Sequence, residues 1–473
     1  MSIPRKIAFN TIFSSSTKIS WTFVSIIALG LITRYLGADG FGEYTTVLAF
    51  FFMFSAISDL GLSQIVLREI SYKKRDTKEK QIISTAFTLR LTVSLIIILA
   101  SFVLVRFLPY SDNIKNGIIL SSFGLLFSSG YQILVTVFQK RLLVYQVSIA
   151  ELVGRVANLA WVFTCVHFQL GLLWILGGML ISWASTFLIV FILARIKVKF
   201  HLGFNYLGIK KLLKNALPLG ISAIITFIYF RVDTIMLSIM KGIGDVGIYG
   251  AAYKIIENVA YFPAMFMGLI MPLYARYMFT NKKKFKRVAY RAFDTISFIA
   301  IGISFGIFAL APKIITLIAG EGFEESILVL RILAISILGL FYAQYFNTIL
   351  ITANLQKKLL LIFSICAVLN ISANIIFIPQ YSYLAAGTIS SLTELLVPML
   401  AAIMVIKHCH YFPKVYALLK IILAGILMLG FLFISKNWPI YLQIPLGGGI
   451  YLMATFALKA FSIRDFKKII KAN

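Results

Sequence analysis

Acidic residues are scarce in this chain: 17 Asp and Glu stand against 45 Lys and Arg, for a formal net charge of +28. Charge of either sign is thin, at 13% of 473 residues. No connection between apolar runs is long enough to hold a separate soluble domain, so the bulk of the chain is not a soluble globular enzyme. Cysteine is nearly absent. Cys165, Cys366 and Cys409 are widely spaced, which argues against a disulfide framework and against a zinc cluster. His408 and His410 flank Cys409, and a short polar loop accounts for them; neither a metal nor a cofactor is expected. The residue alternation of a membrane barrel is also missing. That leaves the helix as the spanning structure, because lipid offers unpaired backbone groups no partners.

What is present is hydrophobicity, with 60% apolar residues and a mean hydropathy of +0.93. About fourteen stretches reach the roughly 20 apolar residues that a bilayer crossing needs, among them the first two at 7–33 and 42–67, the seventh and eighth at 217–240 and 247–273, a pair at 360–378 and 383–406, and the last at 441–461. The opening MSIPRK and its apolar run resemble a signal peptide. No small-residue cleavage site precedes Arg34, so the segment reads as a retained first span. The expected fold class is an all-α polytopic membrane protein, with about fourteen transmembrane helices in two six-helix bundles plus two C-terminal helices.

The basic residues are unevenly placed. Roughly 32 of the 45 fall in alternate connections and roughly six in the opposite set. The positive-inside rule makes the rich side cytoplasmic, and an even number of spans puts both termini there. Runs such as Lys73-Lys74-Arg75 and Lys282-Lys283-Lys284 attract anionic membrane lipids, each cation contributing on the order of 1 kcal/mol near the surface. Nucleic acid is not an expected partner, because these runs lack interleaved aromatics and border spans on both sides.

A short segment recurs. Gly37-Ala38-Asp39-Gly40-Phe41-Gly42-Glu43-Tyr44 aligns without a gap to Gly242-Ile243-Gly244-Asp245-Val246-Gly247-Ile248-Tyr249, sharing Gly37/Gly242, Gly42/Gly247 and Tyr44/Tyr249. Each copy reads as an external turn running directly into a helix and opening a block of six spans. Two such blocks around a central cleft are a recurrent transporter plan. The expected organisation is an N-terminal bundle at 1–199, a cytoplasmic amphipathic linker at 200–216, a C-terminal bundle at 217–410, and two extra helices with a cytoplasmic tail at 411–473. Lys210, Lys211 and Lys214 among Leu207, Ile209, Leu212 and Leu213 mark the linker as an interfacial helix.

Several cations lie inside the spans. Lys18, Arg90 and Arg155 sit about ten residues from the cytoplasmic ends of theirs, roughly 15 Å deep in a core about 30 Å thick. Arg231 lies just past the middle of the seventh span and Lys254 in the outer third of the eighth. A central Arg or Lys costs about 2.5–3.5 kcal/mol on insertion scales. The readings open for Lys18, Arg90 and Arg231 are a water-filled cationic cavity, an interhelical ion pair, or snorkelling. Glu151 and Arg155 are i,i+4, and Lys254 and Glu257 i,i+3, so each pair has a neutralising partner at hand. A cationic cavity implies an anionic ligand, since guanidinium forks suit phosphate and carboxylate. Asp233, Glu257, Asp294 and Glu394 are acids for a coupling cation or proton, or for charge balance alone.

The string Leu36-Gly37-Ala38-Asp39-Gly40-Phe41-Gly42-Glu43-Tyr44, followed by Ser58-Asp59-Leu60-Gly61-Leu62 and Leu67-Arg68-Glu69, resembles the N-terminal signature of bacterial polysaccharide flippases. These are the O-antigen and capsule repeat-unit translocases, of one superfamily with multidrug exporters and the lipid II flippase. The resemblance implies two six-helix bundles that open alternately to each side of the bacterial inner membrane. It implies an undecaprenyl-diphosphate-linked oligosaccharide as cargo, a cationic central cavity, and polysaccharide polymerase machinery as a further partner. Asp59, Gly61 and Arg68 then serve packing and the cytoplasmic gate. The lipid II reading shares the diphosphate. A drug exporter of organic cations fits less well, because the first span carries Lys18 and no acid. A glycan polymerase needs external catalytic residues, and Glu321, Glu324 and Glu325 read instead as a solvated helix start.

Overall fold

The computed structural model describes residues 3–72, 76–203 and 205–460. The run Lys73-Lys74-Arg75 and the basic C-terminal tail lie outside the described residues. Apart from one 3-10 turn at Val105–Phe107, all regular structure among the described residues is α-helical. Eleven helical segments there are long and apolar enough to cross a membrane. This is the all-α polytopic fold that the hydropathy predicts.

The chain separates into two compact units, with the boundary after Gly247. The first holds α1 (Ile3–Asp59), α2 (Leu62–Tyr72), α3 (Asp76–Leu104), α4 (Asp112–Ser122), α5 (Gly124–Lys140), α6 (Val144–His167), α7 (Leu172–Lys197) and α8 (Tyr206–Met240). The boundary falls inside α9 (Ile243–Val259). The second unit continues with α10 (Tyr261–Tyr277), α11 (Lys282–Ile318), α12 (Glu325–Thr352), α13 (Gln356–Cys409), α14 (Tyr416–Ile434) and α15 (Ile440–Ala457).

Two helices are too long for one crossing, and each has a break where the sequence places a loop. α1 turns at Gly37 (φ 64°, ψ −174°), and α13 turns at Ser382 (φ 47°). Gly37 adopts a left-handed φ without steric cost. The second break follows Pro379, whose ring removes a helical N–H. A further bend at Leu60 (φ 44°) and Gly61 (φ 72°) separates α1 from α2, inside the stretch expected as one span at 42–67.

Lipid tails are as apolar as leucine, so small residues and interhelical hydrogen bonds carry much of the specificity of packing. In the first unit α1 and α6 run in the same direction along a polar seam. Asn10 Nδ2 donates to the Leu142 carbonyl at 2.7 Å, and Tyr145 N donates to Asn10 Oδ1 at 3.1 Å. Further along, Ser148 Oγ donates to Ser14 Oγ at 3.0 Å, and Tyr35 Oη donates to the Leu170 carbonyl at 2.9 Å. Ser58 of α1, Ser94 of α3 and Ser129 of α5 form a closed hydroxyl triangle with sides of 2.7–3.2 Å, all fully buried.

The two copies of the repeated turn meet each other. A Cβ built on Gly42 would stand 1.9 Å from the Ile243 carbonyl oxygen, and one on Gly247 would stand 1.9 Å from the Ala38 carbonyl oxygen. Ile243 and Ala38 are themselves equivalent positions of the repeat, so the contact is reciprocal. Between them Asp39 Oδ1 lies against Gly244, its own counterpart.

In the second unit α12 packs on both α11 and α13, and α14 on both α11 and α15. Asn374 Nδ2 donates to Asn370 Oδ1 at 2.9 Å, and Asn370 Nδ2 donates to Thr393 Oγ1 at 3.3 Å, which joins the halves of α13 across its break. Gln443 of α15 donates to the Ser435 carbonyl at 2.8 Å and accepts from Lys313 Nζ of α11 at 2.5 Å. The last two helices are thereby tied to the rest of their unit.

Candidate functional site

The sequence predicts five cations inside the spans, and the structure gives them different surroundings. Arg90 of α3 is 0% exposed. Its Nη1 lies 3.3 Å from Asp59 Oδ1 at the end of α1, and its Nη2 donates to Gln132 Oε1 of α5 at 2.8 Å. Asp59 also accepts from Ser63 Oγ at 2.8 Å. Arg90 therefore does not face a water-filled cavity. It is enclosed by the first unit and neutralised there, the interhelical ion pair that the sequence offered as an alternative. Asp59 of the signature is its counter-ion, Gly61 makes the bend just beyond, and Arg68 is exposed on α2. Lys254 is paired as its spacing predicts: its Nζ donates to Glu257 Oε2 at 2.9 Å within α9, in the second unit.

Arg155 is different. The i,i+4 pairing with Glu151 does not form. Glu151 instead accepts a hydrogen bond from the Tyr131 hydroxyl of α5. The Arg155 guanidinium lies over the Trp21 ring of α1, 4.9 Å from its centroid. Its N–H groups have no acceptor among the described residues. Arg155 is half-buried, about midway along α6 and midway along the α1–α6 seam. Lys18 stands three residues before Trp21 and is exposed, on the same side of α1.

Arg231 of α8 is seated in the same manner, its guanidinium 4.7 Å from the centroid of Phe52. Helix α1 thus supplies an aromatic seat to both arginines, Trp21 before the Gly37 break and Phe52 after it. Asp233 is 3% exposed and accepts from its neighbour's backbone, Thr234 N, at 2.7 Å. Asp294 and Glu394 are half-buried in the second unit.

A ring beneath a guanidinium contributes about 0.5–2 kcal/mol without using its N–H donors, which a phosphate or carboxylate accepts in pairs. At membrane depth the surroundings of Arg155 suit an anionic group, since no acid among the described residues neutralises that cation. Sequence reasoning found the arginines and missed Trp21, Phe52, Tyr131 and Gln132. With 41 Phe and 22 Tyr in the chain, nothing local singles these out.

Residues 7–278 match the polysaccharide biosynthesis protein family, over more than half of the chain. This chain belongs to that family. Residues 218–376 of this polysaccharide biosynthesis protein also match the MatE family. A putative O-antigen transporter of Shigella flexneri is 33% identical over 96 residues, which cover 20% of this chain and 21% of that protein. The lipid II flippase MurJ in an inward closed conformation superposes with a TM-score of 0.80 at 15% identity, over 94% of this chain and 98% of that one. An inward-facing multidrug resistance MATE family transporter gives 0.63 at 13% identity, over 89% and 98%. The fold is that of these two proteins, and the eleven apolar helical segments among the described residues make the chain a multi-pass membrane protein.

Proposed function

We propose that the protein moves an undecaprenyl-diphosphate-linked oligosaccharide repeat unit from the inner to the outer leaflet of the bacterial inner membrane, for cell-surface polysaccharide synthesis. Arg155 carries the reading. It is a half-buried guanidinium over Trp21, about midway along α6, whose N–H groups have no acceptor among the described residues, and a lipid diphosphate is an anion that reaches that depth. Arg231 on Phe52 and the exposed Lys18 extend the positive surface for the second phosphate or for acidic sugars. Transport proceeds by alternating access while the polyprenyl chain stays in lipid. Both termini are cytoplasmic on this reading, and the basic cytoplasmic connections hold anionic lipids. Asp233, Glu257, Asp294 and Glu394 balance charge or bind a coupling cation.

The test is native mass spectrometry of the purified protein. Wild type is expected to retain a polyprenyl-diphosphate saccharide, and Arg155→Ala is expected to lose it while still carrying ordinary phospholipid. Retention by Arg155→Ala at the wild-type level rejects the site. A bound muropeptide lipid in place of a repeat unit moves the assignment to peptidoglycan precursor.

A further inference from the structure

Glu151 and Arg155 ought to find each other. They are four residues apart on α6 with the acid first, the better order for a helical ion pair. Both are half-buried, where attraction between opposite charges exceeds its value in water. A closed pair would spend the guanidinium donors and cancel the charge, and an anionic ligand would have to break it open. The structure keeps the two apart from both ends. The Tyr131 hydroxyl of α5 donates to the carboxylate, and the Trp21 ring of α1 seats the guanidinium. Tyr131 is firmly placed for this: it is 8% exposed, with its ring 5.8 Å from that of Trp183 on α7.

We infer that Tyr131 is a positioning residue for the anion site, occupying Glu151 so that Arg155 stays available to a diphosphate. The inference rests on the reading of Arg155 as a ligand-binding residue. Tyr131 touches no ligand on this account and acts only through Glu151. The role makes a prediction that a packing role does not: losing the hydroxyl is harmful only while Glu151 is an acid.

The experiment measures binding of geranylgeranyl diphosphate to the purified full-length protein in detergent, with geranylgeraniol as the uncharged control. Wild type is expected to bind the diphosphate and discriminate against the alcohol. Tyr131→Phe is expected to weaken diphosphate binding about tenfold, the scale of one charge-assisted contact, and to leave the alcohol unchanged. Glu151→Gln alone is expected to bind as well as wild type or better. The double variant Tyr131→Phe/Glu151→Gln is expected to return to within about twofold of wild type.

Unchanged binding by Tyr131→Phe, or a loss that Glu151→Gln does not restore, overturns the inference while leaving Arg155 as a ligand residue. Wild-type binding by Arg155→Ala removes the reading of the site, and the inference with it. If Tyr131→Phe does not fold, Trp21→Leu asks the same question from the other side. Its loss of binding is then expected to be relieved by Glu151→Gln, and absence of relief counts against the inference in the same way.

Discussion

Replacing Arg90 with alanine is expected to lower the stability of the purified protein by about 3–5 kcal/mol, the usual cost of removing one partner from a buried ion pair. Two losses combine: Asp59 is left without its cation, and the Gln132 carbonyl loses its donor. The pair rather than the arginine is the unit. Arg90→Met/Asp59→Asn is therefore expected to be more stable than Arg90→Met alone, because the double change leaves no charge uncompensated. Thermal unfolding in detergent reads both effects. Arg155→Ala, by contrast, leaves no acid stranded and is expected to unfold at nearly the wild-type temperature while losing its ligand. An Arg90→Ala protein as stable as wild type but empty of lipid would return Arg90 to the ligand site.

Alanine at Gly42 or Gly247 is expected to force the two turns apart. The new Cβ would lie 1.9 Å from a backbone carbonyl oxygen in either case, and for Gly247 also 3.1 Å from Gly42 N. Backbone atoms do not swing aside as a side-chain end does, so the relief has to come from separation of the segments. Overpacking typically costs about 1–3 kcal/mol. A membrane-impermeant maleimide is expected to label a cysteine placed at the buried Val246 slowly in the wild-type background and at least several-fold faster with either alanine. Because one separation relieves both clashes, Gly42→Ala/Gly247→Ala is expected to be little worse than either single change. Additive effects would mean that the two contacts open independently.

The sequence and the structure agree most closely where the signal is local. Long apolar runs give the helices, and the gaps between expected spans at 34–41 and 379–382 coincide with the breaks at Gly37 and Ser382. The i,i+3 pair Lys254–Glu257 also forms as its spacing predicts. Arg90 and Arg155 show where local signal ends. They lie at similar depth in their spans and look alike in sequence. One is enclosed because Asp59, 31 positions earlier, and Gln132, 42 later, reach it; the other is seated on a ring 134 residues away. A helix that is apolar on every side has no amphipathic stripe to say which face meets a neighbour, so depth was legible and facing was not. Glu151 misled for the same reason. Its nearest partner in sequence is Arg155, and its actual partner is a tyrosine on another helix.

The reciprocal contact at the repeated turn also bears on how freely its residues can vary. Position Gly42 meets Ile243 while Gly247 meets Ala38, and Asp39 meets its own equivalent, Gly244. Contact of i with j and of j with i, plus a self-paired position on the axis, is the pattern of an isologous two-fold dimer. Here it is written within one polypeptide. The two copies of the turn therefore fit one another as well as their own helices. Drift at one glycine is then constrained by the other, and the two are inherited as a single character.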